Sequence, residues 1–191
     1  CAAPPAVAAS SLRYAASCAV TLTRAVQEAI DEDRFDSAAE NLDLYGGVGL
    51  LAAAVGDRFG GQTRILSVEA NVEATAHAQH NLSDWADAQA VTARVDRFLT
   101  DPARARATSR SAASRATVIL DPPRAGAGKV VMGRLLRARP AQLVYVACDP
   151  VALARDVGYA ARAGYRLAAL RAFDLFPNTH HVEAVATLVP E

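Results

Sequence analysis

Lysine is nearly absent from this chain. Lys129 is the one lysine among 20 basic residues, and 20 acidic residues bring the formal net charge to zero. That balance gives no support to nucleic-acid binding through overall charge, so an RNA or DNA partner must be held by a local patch or by another domain. The arginine excess accompanies abundant alanine and reads as compositional bias rather than phosphate recognition. Cysteine is scarce too. Cys1, Cys18 and Cys148 are scattered without CxxC spacing, which suggests neither a disulfide framework nor a zinc site. A reducing, cytoplasmic setting is the expectation that follows. No apolar run is long enough to span a bilayer, and nothing has the layout of a signal peptide. The apolar start over residues 1–9 carries no basic leader and is expected to be the edge of a larger protein.

What remains is an ordinary globular composition. Apolar residues make up 52% of 191, enough chain to bury a core without disulfides or metal. One domain is expected overall, with residues 1–35 as an N-terminal lead-in and helix and residues 36–191 as the main body. Residues 12–31 carry a helical apolar spacing (Leu12, Ala15, Ala19, Leu22, Val26, Ile30) that ends in an acidic turn. Asn41 to Tyr45 reads as a short strand opening on Gly46-Gly47-Val48-Gly49 and an alanine-rich helix to about Arg58. Thr63 to Val68 is the next strand, closed by Glu69, and Asn71 is placed to cap a helix running through Leu82. A short third strand is expected over Ala90 to Val95, and a surface loop over residues 100–116. Thr117 to Leu120 is a buried strand ending in Asp121-Pro122-Pro123-Arg124, with a helix to about Arg137. Leu143 to Val146 is a strand running into Cys148, Val151 to Ala163 a helix, and Arg166 to Phe173 and Val182 to Val189 the last strands. Strands alternating with helices predict a mostly parallel sheet covered on both faces. The final strand follows without a helix, so it is expected to insert antiparallel.

Chemistry gathers at the predicted carboxyl ends of these strands, where open α/β sheets bind ligands. Gly47-x-Gly49-x-x-Ala52 fits a dinucleotide-type turn, whose glycines let the backbone approach a ligand closely. Glu69 lies where an acidic side chain takes both hydroxyls of a ribose. NAD, FAD and S-adenosylmethionine all present such a ribose, so the turn alone leaves the cofactor open. Two prolines stiffen the turn after Asp121, which suits holding a planar, N–H-bearing base. Cys148 ends its strand as either a small core residue or a nucleophile. Adjacent His180 and His181 on an extended segment point to opposite sides and cannot readily share one ion, so no metal is expected. His181 and Glu183 project to one side, and a carboxylate there can act as a general base.

Taken together, four ordered stretches resemble the RNA uracil-C5 methyltransferases. They are Asp43-Leu44-Tyr45-Gly46-Gly47-Val48-Gly49; Asp121-Pro122-Pro123-Arg124-Ala125-Gly126; Tyr145-Val146-Ala147-Cys148-Asp149-Pro150 with Leu153-Ala154-Arg155-Asp156; and Phe176-Pro177-Asn178-Thr179-His180-His181-Val182-Glu183. The resemblance implies a class I, Rossmann-like methyltransferase fold: a seven-stranded, mostly parallel sheet with an antiparallel last strand. It implies S-adenosylmethionine as cofactor and transfer or ribosomal RNA as partner. It further implies Cys148 as the nucleophile that adds to uracil carbon 6 and Glu183 as the base that takes the carbon 5 proton. Tyr45, Gly47, Gly49, Glu69 and Asp121 are implied at the cofactor, with Asp121 and His181 orienting the base.

Two positions depart from the family pattern. Its Phe-x-Gln motif falls on Tyr14-Ala15-Ala16, replacing a side-chain amide by a methyl group. Gly46 stands where Cys, Ala or Ser is usual. Larger members carry a β-barrel for RNA and often a cysteine-ligated iron–sulfur segment, for which these three cysteines do not suffice. RNA recognition is therefore expected to come from elsewhere. The alternatives are a cofactor-binding domain with little catalysis of its own, and a nicotinamide-dependent oxidoreductase suggested by the glycine turn.

Overall fold

Seven strands form a single sheet in this computed structural model, which describes residues 6–101, 113–175 and 182–191, with side chains described from residue 17. Helix α1 (Ala6–Ala29) is followed by a 3-10 turn at Glu32–Arg34, then β1 (Asn41–Leu44), α2 (Leu50–Phe59), β2 (Ile65–Glu69), α3 (Val72–Asn81) and β3 (Ala88–Thr92). A short helix α4 (Val95–Phe98) precedes β4 (Thr117–Leu120), α5 (Gly128–Ala138), β5 (Gln142–Ala147), α6 (Pro150–Arg162), β6 (Tyr165–Phe173) and β7 (Glu183–Pro190). The strand order is β3-β2-β1-β4-β5-β7-β6. Each strand pairing from β3 through β5 is parallel, and β7 runs antiparallel to both β5 and β6. The expected mixed α/β sheet with its antiparallel last strand is the one found.

Burial explains the run of apolar residues in the middle strands. Each residue of β1, β4 and β5 is buried, as strands covered by helices on both faces require. One side of the sheet packs Leu44, Val68, Leu120, Tyr145 and Leu188 with α5 and α6. The other packs Ile65, Ile119, Val144 and Val185 with α2 and with Ala25, Val26 and Ile30 from the end of α1. Full burial of each such aliphatic side chain contributes roughly 1.5–3 kcal/mol. Polar residues at the amino ends of the middle strands are paired in place. Asn41 Oδ1 accepts from the Thr117 N–H at 2.8 Å, and Gln142 Oε1 accepts from the Asp31 N–H at 2.9 Å while its Nε2 donates to Asp31 O at 3.0 Å. The last exchange ties the segment after α1 to the centre of the sheet.

The third strand lies earlier than the expected Ala90 to Val95. Its register with β2 runs from Ile65↔Ala88 to Glu69↔Thr92, and Val95 instead opens α4 with its side chain buried. A five-residue ladder opposite β2 satisfies more backbone groups than a strand continued to Val95, whose apolar side chain fills the core from a helical turn. Residues 102–112 of the expected surface loop lie outside the described residues. Beyond them Ala113 and Ala116 are buried and Arg115 pairs with Asp36. No helix among the described residues is long and apolar enough to cross a membrane.

Candidate active site

The carboxyl ends of β1, β2 and β4 surround a cleft of about 710 Å³, lined by Tyr45, Glu69, Asp96, Asp121, Pro122 and Pro123 among others. A second cavity of about 410 Å³ lies at the other end of the sheet, against Leu42, Val118 and Pro140, and holds none of the residues singled out from the sequence. The first cleft falls in the range of small-molecule and cofactor sites.

The glycine turn shapes one wall. Tyr45 and Gly47 both take positive φ, 64° and 54°, and Gly49 at 82° is the N-cap of α2 with no side-chain cap. A Cβ on Gly49 would meet Ala78 of α3 at 3.2 Å, so glycine permits the close packing of the turn on that helix. Glu69 closes the turn from the neighbouring strand. Its Oε2 accepts from the Gly47 N–H at 3.1 Å and its Oε1 from the Asn71 N–H at 2.7 Å. Asn71 in turn caps α3 by accepting from the Ala74 N–H at 3.0 Å, as its sequence position predicts. Each carboxylate oxygen of Glu69 thus keeps acceptor capacity for a ligand hydroxyl.

Asp43 sits beneath this turn, fully buried. Its Oδ2 accepts from the Ser67 hydroxyl at 3.1 Å, while Oδ1 has no hydrogen-bond partner among the described residues. Burial pushes its carboxyl up to about 7, and the charges of Asp121 and Glu69 act in the same direction. Asp121 follows β4 with its N–H donating to Leu44 O at 3.1 Å, and opens onto the cleft. Its carboxyl is raised to about 6, first by its confinement between the walls and then by the charge of Glu183. A cleft lined by the carboxyl groups of Glu69, Asp96 and Asp121 suits a ligand that has both ribose hydroxyls and a positive charge. S-adenosylmethionine, with a ribose and a sulfonium, meets that description.

Cys148 and Glu183 enter from β5 and β7. The antiparallel ladder pairs Val146 with Val185 and Ala147 with Ala184, so the next position along each strand sets Cys148 across from Glu183. Cys148 is half-buried; burial and the Glu183 charge hold its thiol above the usual range, with Arg124 acting in the opposite sense. Burial likewise raises the Glu183 carboxyl. Asp149 and Pro150 do more than stop the strand. Asp149 Oδ1 accepts from the Ala152 N–H at 2.8 Å and Pro150 occupies the first turn, so α6 begins immediately after Cys148.

Six of the predicted site residues, Tyr45, Gly47, Gly49, Glu69, Asp121 and Glu183, together with Cys148, thus cluster along one edge of the sheet. His181 lies outside the described residues, as do the side chains of Tyr14 and Ala16. Arg94 and Asp96 line the same cleft, joined by two hydrogen bonds of 3.1 and 3.0 Å, and are not among the residues the sequence predicts. The misplaced β3 hid them; an Arg-x-Asp pair directly after a strand was the available signal. Among the described residues no three His, Cys, Asp or Glu side chains converge as a metal site would require.

Comparison with known proteins agrees with this geometry. The family model for tRNA (uracil-5-)-methyltransferases matches residues 16–189. An uncharacterized RNA methyltransferase of Streptomyces avermitilis is 43% identical over 171 residues, covering 89% of this chain and 37% of its own length. A counterpart from Thermotoga maritima is 37% identical over 151 residues, covering 78% of this chain and 31% of its own. The crystal structure of a Pyrococcus abyssi tRNA (uracil-54, C5)-methyltransferase with S-adenosyl-L-homocysteine superposes with a TM-score of 0.70 at 32% identity, covering 90% of this chain and 38% of that one. NSun6 from Pyrococcus horikoshii, at 12% identity over 88% of this chain and 50% of its own with a TM-score of 0.63, shares the fold. The chain spans little more than a third of the curated relatives it matches. It belongs to the tRNA (uracil-5-)-methyltransferase family.

Proposed function

We propose that this chain carries the catalytic part of an enzyme that methylates carbon 5 of uridine in structured RNA, transfer or ribosomal, with S-adenosylmethionine as methyl donor. Residues 36–191 form the catalytic domain in this reading, and residues 1–35 lead into it. The observation that carries it is the rung that sets Cys148 across from Glu183 beside Asp121, next to a cleft suited to a cationic nucleoside. Gly47, Gly49, Tyr45, Glu69 and Asp121 would hold the cofactor, which when bound supplies a methyl group as an electrophile.

Carbon 5 of uracil is a poor nucleophile until carbon 6 is attacked. The Cys148 thiolate forms a bond to carbon 6, and the ring electrons move onto carbon 5 and the carbon 4 oxygen as an enolate. Once carbon 5 is methylated, Glu183 takes the proton from that carbon. The electrons restore the 5,6 double bond and the carbon–sulfur bond breaks, returning Cys148 as a thiolate. A carboxylate whose affinity for protons is raised by burial is suited to that abstraction. In this reading Asp121 would hold an N–H edge of the base. A uridine within folded RNA must leave its stack to reach this rim, and recognition of that RNA falls to regions the longer relatives possess.

The direct test is to incubate the chain with methyl-labelled S-adenosylmethionine and transfer or ribosomal RNA, then digest the RNA and identify the labelled nucleoside. Label in 5-methyluridine is the expected result. Label in another nucleoside, or in none, counts against the proposal.

A further inference from the structure

Tyr145 and Asp156 are both fully buried, yet both are polar and neither takes part in the chemistry above. Tyr145 lies three residues before Cys148 on β5, and Asp156 lies on α6, the helix that starts just after it. Their side chains meet: the Tyr145 hydroxyl donates to Asp156 Oδ2 at 2.7 Å. Their remaining hydrogen bonds run to the turn that follows Asp121 and to Arg155 beside Asp156 on α6. The Ala127 N–H donates to the Tyr145 hydroxyl oxygen at 3.0 Å, and the Gly128 N–H donates to Asp156 Oδ2 at 3.1 Å. Arg155 donates to Asp156 Oδ1 through both Nε and a terminal nitrogen, at 3.0 and 2.8 Å, and that terminal nitrogen also donates to Ala125 O at 2.8 Å.

The turn is fitted to this cluster. Gly126 takes a φ of +76°, its N–H donates to Pro123 O at 2.7 Å, and a Cβ there would lie 2.6 Å from an Arg155 nitrogen and 2.7 Å from Asp156 Oδ2. A buried carboxylate is costly unless several donors surround it. Here a hydroxyl, a backbone N–H and a guanidinium do so, and the carboxylate holds in return a stretch of backbone that has no regular structure of its own. Pro122 and Pro123 are rigid, so fixing residues 125–128 fixes the direction in which Asp121 and Arg124 leave β4.

We propose that Asp156 is a positioning residue. With Tyr145 and Arg155 it clamps the Pro123–Gly128 turn to the cysteine-bearing strand and helix, and so holds Asp121 and Arg124 against Cys148. This rests on the reading of Cys148 as the reacting thiol. The charged groups acting on that thiol are Glu183 from β7 and Asp121 and Arg124 from the clamped turn. Loosening the clamp frees both groups of the turn, and of the two Arg124, which favours the thiolate, acts more strongly on the thiol than Asp121, which opposes it.

The test compares the unaltered chain with Asp156→Asn and the milder Tyr145→Phe, which keeps the ring in the core. Alkylation of Cys148 by iodoacetamide is followed by peptide mapping from pH 6 to 10, and amide hydrogen exchange is followed in the same samples. In both variants the alkylation profile is expected to move to higher pH, with the rate at pH 8 falling about threefold. Exchange in the Ala125–Gly128 segment should rise about tenfold or more while the Leu44–Gly49 turn stays within about twofold. Should Asp156→Asn fail to fold, Tyr145→Phe decides. An unchanged profile with unchanged turn amides overturns the proposal, and so does a uniform rise in exchange throughout the chain, the sign of a merely structural role. Covalent capture of 5-fluorouridine RNA by the unaltered chain separates the two readings. Capture by the unaltered chain and at the same rate by Tyr145→Phe defeats the clamp alone, whereas no capture by the unaltered chain defeats the assignment of Cys148 and leaves the alkylation result standing.

Discussion

Cys148 and Glu183 stand one rung beyond the last pair of the antiparallel ladder between β5 and β7. Thirty-five positions apart in the chain, they meet only because β7 inserts between β5 and β6 in the opposite direction to both. At rest the arrangement disfavours the thiolate, because burial and the Glu183 charge both raise the Cys148 thiol. Replacing Glu183 by Gln removes one of these effects. Iodoacetamide should then label Cys148 about two- to fivefold faster at pH 7.5. The same variant should stall release in the RNA reaction, so that methylated RNA accumulates bound to protein on denaturing gels. Free turnover by Glu183→Gln contradicts the assignment of the base.

Glu69 is held by two backbone donors, and that makes Glu69→Gln a sharp test of the cofactor wall. An amide has one acceptor oxygen, so its NH₂ must face the N–H of Gly47 or of Asn71. A lost charge-assisted hydrogen bond costs about 1.5–3 kcal/mol, so affinity for S-adenosylhomocysteine should fall roughly 10- to 100-fold by calorimetry. Unchanged affinity would remove Glu69 from the site. Cys148→Ala, in contrast, should leave that affinity intact while abolishing turnover.

The unusual Gly46 has a local explanation. A Cβ at this position would lie 1.9 Å from Ser67 Oγ and 2.7 Å from Asp43 Oδ2. Ser67 uses that space to donate to the buried Asp43. Gly46→Ala must therefore turn the hydroxyl away and strip Asp43 of its donor, at about 1–3 kcal/mol. Chemical denaturation should show that loss, and adding Ser67→Ala to Gly46→Ala should cost little more because the hydrogen bond is already gone. Full additivity of the two changes would show that they act independently.

Asp43 also gives stability a pH dependence of definite sign. Its carboxyl is raised from an ordinary value of 3.8 to about 7 in the fold. The folded chain therefore binds this proton more tightly than the unfolded one. The stabilisation is complete below about pH 4, declines as pH rises through the interval up to about 7, and is lost above it. Asp121, raised to about 6 but exposed at the cleft, acts in the same sense only weakly because solvent screens it. Between pH 5 and pH 8 the unfolding free energy should fall by a few kcal/mol, at about 1.4 kcal/mol per unit of raised pKa. Asp43→Asn should flatten most of that slope, and an unaltered slope in the variant would place the titration elsewhere.

Local sequence made much of this fold legible. Val118 to Leu120 and Leu143 to Val146 are unbroken apolar runs followed by Asp-Pro signals, and both lie in central strands. Asn71 lies three residues before the N–H it caps, and the glycine turn and Glu69 fall at a spacing set by one strand and one helix. β3 was harder to read because Ala88, Gln89, Ala90, Val91 and Thr92 form a half-exposed strand whose weak alternation carries past Thr92. Four-residue α4 is shorter than any periodic signal, and Arg94 and Asp96 were lost with it. The pairing of Cys148 with Glu183 depends on long-range register, which no local pattern encodes. Tyr145 and Asp156 were concealed for another reason: a tyrosine within a buried apolar strand reads as core until its hydroxyl partner is seen.

The most direct measurement is intact-mass spectrometry of the chain after incubation with S-adenosylmethionine and 5-fluorouridine-substituted transfer or ribosomal RNA. Fluorine takes the place of the hydrogen that Glu183 is proposed to remove, so the proposed reaction would halt with the RNA attached. A covalent adduct that maps to Cys148 and disappears in Cys148→Ala is the expected result. No adduct with either RNA, or an adduct at another residue, would contradict it.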